Sequence, residues 1–266
     1  MNFTKMNGAG NDFVVVDNRE GRLELSVAEI ARLCDRHRGV GADGLLAVEP
    51  AQSGADFRMR YYNADGGEAD MCGNGARCFA RYAARLSGRS DALSFETPAG
   101  LIRASFSGEL VTINMSDPRD LRAPFALDVV GLGVCRVHFL NTGVPHAVVF
   151  VENGEAVDLA TSGASLRRNP AFAPQGANAN FAEILSPGNL VLRTFERGVE
   201  GETLACGTGV CAAALLHHLE SGTPAPISVR VRGGDTLEVG FTPSASGLPG
   251  NVTLKGPADF VFDGQI

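Results

Sequence analysis

The feature that most constrains this chain is that it repeats itself. Residues 67–75 read GEADMCGNG and residues 201–209 read GETLACGTG, so both fit G-E-x-x-x-C-G-x-G, with Cys72 and Cys206 at an offset of 134 positions. The same offset carries Ser87-Gly88 onto Ser221-Gly222, Leu93-Ser94 onto Ile227-Ser228 and Gly100 onto Gly234 without a gap. A looser match pairs DFVVVDN (12–18) with HAVVFVEN (146–153) at an offset of 135. A repeat of this length reads as two homologous halves, one supersecondary pattern used twice.

Both copies predict the same local structure. Residues 13–16 and 147–151 are β-branched and aromatic runs ending in Asp-Asn or Glu-Asn, a strand and then a turn. After Cys72, the run ARCFARYAARL sets Cys78, Phe79, Tyr82 and Leu86 at helical spacing and stops at Ser87-Gly88. After Cys206, VCAAALLHHLE is rich in alanine and leucine and stops at Ser221-Gly222. LSFET (93–97) and ISVRVR (227–232) return as strands, and RASF, LVTINM, LVLRTF, TLEVGF and VTLKG are further short strands between turns. The expected fold is therefore α+β, with two pseudo-symmetric domains, each a mostly antiparallel sheet carrying one buried helix. Asp117-Pro118 and Pro124 break the pattern. They set the expected halves at 1–116 and 117–254, with the tail 255–266 packing back on the first.

Composition narrows the chemistry. A net charge of −7 argues against a nucleic-acid or anionic-membrane partner, since both want a basic face. No apolar run approaches the roughly 18 residues of a membrane span. The opening MNFTKMNGAGNDF lacks the apolar core of a signal peptide, so the expected compartment is the cytoplasm. The six cysteines include no C-x-x-C pair, which disfavours zinc ribbons and thioredoxin-type redox sites. Only Lys5 and Lys255 could form a Schiff base, which argues against pyridoxal phosphate. Neither a cofactor nor a metal is called for.

Cys72 and Cys206 each stand in a glycine-flanked turn just before a helix. A helix N-terminus carries partial positive charge, which favours a thiolate. The N–H groups of Gly73, Asn74 and Gly75, and of Gly207, Thr208 and Gly209, are placed to bind a carboxylate. Two such turns on duplicated halves suggest an acid/base pair. A thiolate removes the α-proton of an amino acid from one side, and a thiol returns a proton to the other. The N–H groups stabilise charge moving onto the carboxylate as the carbanion forms. Cys34, Cys78, Cys135 and Cys211 read instead as small core residues.

The blocks FTKMNGAGNDFVVVDN, RGVGADGLL, MCGNGARCFARY, NTGVPHAV and FERGVEGETLACGTG together resemble the diaminopimelate epimerase family, from Phe3 to about Gly256. ACGTG alone is shared with proline racemase and related isomerases, whereas MCGNGARC and GAGNDF are more specific. The resemblance implies two pseudo-symmetric domains, each a sheet or barrel wrapped around a central helix. It also implies a cofactor-independent enzyme interconverting LL- and meso-diaminopimelate for lysine and peptidoglycan synthesis, working as a homodimer. Cys72 and Cys206 are then the acid/base pair, with Cys206 the proton acceptor and Cys72 the donor in the LL-to-meso direction. Gly73, Asn74, Gly207 and Thr208 would hold the reacting carboxylate. Asn11 would be a substrate contact, and Asn63 and Asn178 would face the distal end. Arg197 would bind the distal carboxylate, with Glu196 accepting from an ammonium and biasing the thiols. His146 is similar to a histidine thought to tune the cysteines; a purely structural histidine is the alternative.

At the offset of 134, Asn63 falls on Arg197, so the cysteines stay alike while these positions diverge, as a substrate with two different ends would require. The chain departs from the family pattern at Asn7 (often His), Gly44 (Gln in some members) and Val144 (often Asn). The rival readings are a proline-type racemase, which the polar far-end residues disfavour, and a non-enzymatic ligand-binding or redox-sensing protein using exposed thiols.

Overall fold

Each cysteine motif runs straight into a helix of 15 residues, Gly73–Ser87 and Gly207–Ser221, with the cysteine itself as N-cap. Both helices end on a glycine in the left-handed region, Gly88 at φ 69° and Gly222 at φ 71°. That conformation costs a residue bearing a β-carbon about 1–2 kcal/mol. The 134-residue offset therefore holds at both ends of both helices.

The computed structural model describes residues 1–244 and 247–266, and it divides into two units, Met1–Asn114 with Lys255–Ile266, and Met115–Leu254. The first unit runs β1 (Asn2–Gly8), β2 (Asn11–Asp17), α1 (Val27–Cys34), β3 (Gly44–Glu49), β4 (Phe57–Asn63), β5 (Glu68–Ala69), α2 (Gly73–Ser87), β6 (Ala92–Thr97), β7 (Gly100–Ser107) and β8 (Leu110–Asn114). The second runs β9 (Arg119–Val129), β10 (Gly133–Asn141), β11 (Pro145–Val151), α3 (Ala164–Arg167), β12 (Asn178–Ser186), β13 (Asn189–Glu196), β14 (Gly201–Thr203), α4 (Gly207–Ser221), β15 (Ile227–Val231), β16 (Thr236–Thr242) and β17 (Gly250–Pro257). The chain closes with β18 (Asp259–Gln265), antiparallel to β1 in the first unit.

Each unit is a mostly antiparallel sheet. Its parallel pairings are β2 with β3 and β4 with β6 in the first unit, and β11 with β12 and β13 with β15 in the second. α2 packs on β1, β2, β3, β4, β6, β7 and β8, and α4 on β10 to β13, β15 and β16. A helix touched by that many strands must be apolar or small-sided all round, and α4 is buried continuously from Gly209 to His217. This is the expected α+β architecture, with each sheet wrapped around its helix. α1, which the glycine motifs did not announce, starts at a capping box in which Ser26 and Glu29 satisfy each other's backbone N–H.

The strand registers correct two sequence readings. Leu45 pairs with Val14 and Tyr62 in the first unit, and Ala179 pairs with Ala147 and Phe195 in the second. Leu45 and Ala179 stand 134 apart, so Val14 answers to Ala147 and Tyr62 to Phe195, both at 133. The looser repeat is thus offset by 133, not 135. The two values differ by one full strand period, and a run of valines matches either. By the same register the counterpart of Asn63 is Glu196, and Arg197 lies one residue beyond the strand end.

At Gly44 a β-carbon would fall 2.5 Å from the Tyr62 carbonyl oxygen and 2.8 Å from the Tyr61 ring. At the counterpart position the second unit carries Asn178, with Thr194 at the place of Tyr61. Gly44→Ala should therefore destabilise the protein by about 1–3 kcal/mol, as overpacking does, seen as a lower urea midpoint; an unchanged midpoint would show that β4 yields without strain.

Candidate active site

Cysteine is an unusual N-cap, because a thiol is a weaker acceptor than the Ser, Thr, Asp or Asn usually found there. Cys72 Sγ nevertheless accepts from Gly75 N at 3.5 Å, and Cys206 Sγ lies 3.5 Å from Thr208 Oγ1. Neither helix has an acidic residue in its first turn, so no carboxylate of the helix itself occupies its positive end. All six cysteines are present as thiols, with no disulfide among them. Burial pushes the Cys78 thiol up to about 12 and the Cys34 thiol up to about 11, as suits core residues. Cys211 is fully buried, and Cys135 is partly buried against the second unit's core.

In the first unit the proposed contacts form a directed chain of hydrogen bonds. Arg77, fully buried, donates to Asn74 Oδ1 at 2.8 Å. Asn74 Nδ2 donates to Asn11 Oδ1 at 2.6 Å, and Asn11 Nδ2 donates to Asp43 Oδ2 at 2.9 Å. Arg36 closes the chain on Asp43 at 2.7 Å. Each amide is thereby oriented, and the second N–H of Asn11 is left for another acceptor. Burial works against ionised Asp12 beside them, yet hydrogen bonds from Arg36 and Lys5 hold its carboxyl at about 2. Lys5 is buried and its ammonium is committed to Asp12 and to the Gly41 carbonyl. Asn63, exposed at the end of β4, accepts from the Tyr61 hydroxyl at 2.8 Å. Asn7, where the resemblance has His, accepts from Gly10 N at 3.1 Å and closes the β1–β2 turn.

In the second unit, Asn178 is buried and its Oδ1 accepts from the Arg197 backbone N–H at 2.7 Å. The half-buried Arg197 guanidinium makes no ion pair among the described residues, so it remains available to an anion. Glu196 is largely buried, and burial pushes its carboxyl above the ordinary range, with Thr203 pulling the other way. Thr208 has its carbonyl held by Thr142 Oγ1 at 2.8 Å. Val144 takes the place that Asn11 holds in the first unit, so this turn has no second Asn. No group of three or more His, Cys, Asp or Glu among the described residues could hold a metal, and no described helix is long and apolar enough to cross a membrane.

His146 has zero exposure. Its imidazole is depressed to about 3, by burial first and by the Arg197 charge second. It is neutral at physiological pH. Asn180 Nδ2 lies 3.1 Å from His146 Nδ1, and Thr194 Oγ1 donates to Asn180 Oδ1 at 2.9 Å. By strand register these three answer to Phe13, Leu46 and Tyr61. The helices agree. A β-carbon on Gly75 would meet Leu46 and Phe13, and one on Gly209 would meet Asn180 and His146. Burying a Phe or Leu stabilises by about 1.5–3 kcal/mol. A neutral hydrogen bond returns about 1 kcal/mol, and an unpaired buried N–H costs about 1–3. The second unit therefore keeps the less stabilising set beneath its cysteine helix. The sequence reading named His146 and Asn178 but missed Asn180 and Thr194. The alternating Asn of ANANF, set against the repeat at its correct register, was the available signal.

Comparison with known proteins follows this geometry. The diaminopimelate epimerase family matches residues 3–120 and 138–244. The diaminopimelate epimerase of Chlorobaculum tepidum is 43% identical over 265 residues, covering 98% of this chain and 99% of that protein. That of Aquifex aeolicus is 38% identical over 278 residues, covering 100% and 98%. Among solved structures, a phenazine biosynthesis protein of Bacillus anthracis aligns with a TM-score of 0.74 at 19% identity, covering 100% of this chain and 98% of that one. A hydroxyproline epimerase of Agrobacterium vitis, with bound trans-4-hydroxy-L-proline, aligns with a TM-score of 0.71 at 20% identity, covering 100% and 90%. At that identity the likeness is one of fold.

Because Glu196 ionises at a cost when folded, stability should fall as pH rises from the ordinary Glu range through its raised value. Glu196→Gln should then raise Tm at about pH 7 and lose the advantage at about pH 4. Thermal unfolding at both pH values checks this; equal gains at both would contradict it.

Proposed function

The chain belongs to the diaminopimelate epimerase family, and we propose from that premise that Cys72 and Cys206 are its acid/base pair. The reaction is the cofactor-independent interconversion of LL- and meso-2,6-diaminopimelate, an isomerisation at one α-carbon that serves lysine and peptidoglycan synthesis. The observation that carries the assignment of the thiols is their equivalence. Each is the N-cap of a 15-residue helix of the same repeat, with no acidic residue in the first turn.

In the LL-to-meso direction, Cys206 as thiolate takes the α-proton and Cys72 as thiol delivers one to the opposite face. Proton count and charge balance, and the reverse reaction exchanges the roles. The first-turn N–H groups at Gly73, Asn74, Gly207 and Thr208 bind the reacting carboxylate and gain strength as carbanion charge moves onto it. Arg197, half-buried and without a carboxylate partner among the described residues, takes the distal carboxylate in bidentate fashion. Glu196 accepts from an ammonium, whose charge would bring the carboxyl back to its ionised form. Asn11, Asn63 and Asn178 complete recognition of the substrate, and His146 biases the thiols. In keeping with the resemblance, the enzyme works in the cytoplasm as a homodimer.

Incubating the reduced protein with LL-diaminopimelate in deuterium oxide should give α-proton exchange and meso product. Absence of both from folded, reduced protein would sink the reading, and exchange with proline alone would transfer it to a proline-type racemase. Cys72→Ala and Cys206→Ala should each lower epimerisation by about a thousandfold or more, while circular dichroism and Tm stay near those of the parent. Near-normal turnover in either variant would refute the two-thiol mechanism.

A further inference from the structure

The three polar residues beneath α4 do more than fill the space that Phe13, Leu46 and Tyr61 fill beneath α2. Asn180 Nδ2 lies 3.1 Å from the carbonyl oxygens of both Ala147 and Asn178, which can only accept. Its Oδ1 receives the Thr194 hydroxyl at 2.9 Å. The two carbonyls can only accept and leave the amide one orientation; its Nδ2, with two N–H groups and no acceptor lone pair, can meet His146 Nδ1 only as a donor. A neutral imidazole that accepts at Nδ1 carries its proton on Nε2. That Nε2 is buried and has no hydrogen-bond partner among the described residues. The ring packs beneath the first turn of the helix that Cys206 caps, since a β-carbon on Gly209 would meet its Cε1 and Nδ1, both at 3.4 Å.

We propose that Asn180, oriented by the Ala147 and Asn178 carbonyls with Thr194 on its oxygen, is a positioning residue that holds His146 as the neutral Nε2–H tautomer beneath α4, so that this ring nitrogen is always a hydrogen-bond donor. This rests on the reading of Cys206 as an acid/base group. A donor stabilises negative charge beside it, on a thiolate or on a bound carboxylate, and cannot compete with the thiolate for the substrate's proton. The first unit has no equivalent, because Phe13 and Leu46 offer no polar atom there. The two thiols are made unlike by what lies under one of them.

Nitrogen-15 NMR of histidine-labelled resting protein reads the tautomer directly, without substrate. The expected result is a protonated Nε2 and an unprotonated Nδ1 for His146; a protonated Nδ1 overturns the proposal. Asn180→Asp presents only acceptors to Nδ1. It should move the proton to Nδ1 in the same spectrum and lower kcat by about tenfold or more. An unmoved proton, or unchanged kcat with the proton moved, counts against the proposal. The triple variant His146→Phe, Asn180→Leu, Thr194→Val carries the first unit's apolar character into the second. It should fold with a Tm at or above that of the parent and lose epimerisation by at least about a hundredfold. A stable, fully active triple variant would reduce the polar set to packing. Failure of the parent to epimerise diaminopimelate would instead remove the functional reading and leave the tautomer result standing.

Discussion

Everything distinctive in this fold depends on how two buried helices are started. A helix presents four N–H groups at its N-terminus that the helix itself cannot satisfy, and proteins ordinarily cap them with an oxygen acceptor. Here the N-cap residue is a cysteine at both places, Cys72, whose sulfur accepts from Gly75, and Cys206, whose sulfur caps no N–H, with a glycine next to each and no carboxylate in the first turn. Such a start gives up on the order of 1 kcal/mol of capping per helix and leaves a positive, hydrogen-bond-donating end for something else. The rest of the architecture tolerates that. The helices are sheathed by strands along their length, so tertiary burial, not the cap, decides that they form.

The strands that deliver the cysteines are held in the same way in both units. Arg60 grips Glu68 through Nε and Nη2 at 2.9 and 2.7 Å, and Arg193 grips Glu202 through the same atoms at 2.7 and 2.9 Å. Each fork ties the strand that ends in a proposed substrate contact to the short strand that leads into a cysteine turn. The shared Gly-Glu of the repeat is explained by this, since three residues separate each Glu from its cysteine. Arg193 also donates to the carbonyls of Gly154 and Val157 at 2.9 Å, so the second fork is the more deeply embedded of the two. Planar bidentate pairs fix direction as well as distance, which suits a turn whose sulfur has to be aimed.

Much of this was legible before any coordinates. Both helices could be bounded from Cys-Gly at one end and Ser-Gly at the other, because caps and C-terminal glycines are local chemistry. The two-unit α+β plan followed from the repeat. The strand registers were not legible. VVVD against VVFV fits at 133 or 135 equally well, since both preserve the alternation of faces. The misplacement of Asn63 on Arg197 has a different origin. One offset was carried from a helix into β13, whose true register is set by its pairing with β12 and is one residue out of step with the helix. Such slips are made in the turns between elements, where the repeat has no residues in common. Asn180 and Thr194 stayed hidden for the same reason, because their meaning appears only when they are set opposite Leu46 and Tyr61.

That one-residue slip also gives the two units different residues at equivalent strand ends, as the proposed reaction at only one of two α-carbons requires. Had β13 kept the helix's offset, Arg197 would stand where Asn63 stands, and Glu196 would face the other side of its sheet. With the slip, Glu196 takes the end-of-strand position and Arg197 passes into the turn, where Asn178 Oδ1 fixes its backbone at 2.7 Å. Asn178 stands at the position of Gly44, and Thr194 at that of Tyr61, so the amide and the displaced arginine it holds are found only in the second unit. The helix bounds and the forks before them are shared because, on the proposed mechanism, the two proton transfers are the same chemistry in opposite directions. The strands underneath and the strand ends, where the proposed substrate contacts lie, differ between the units.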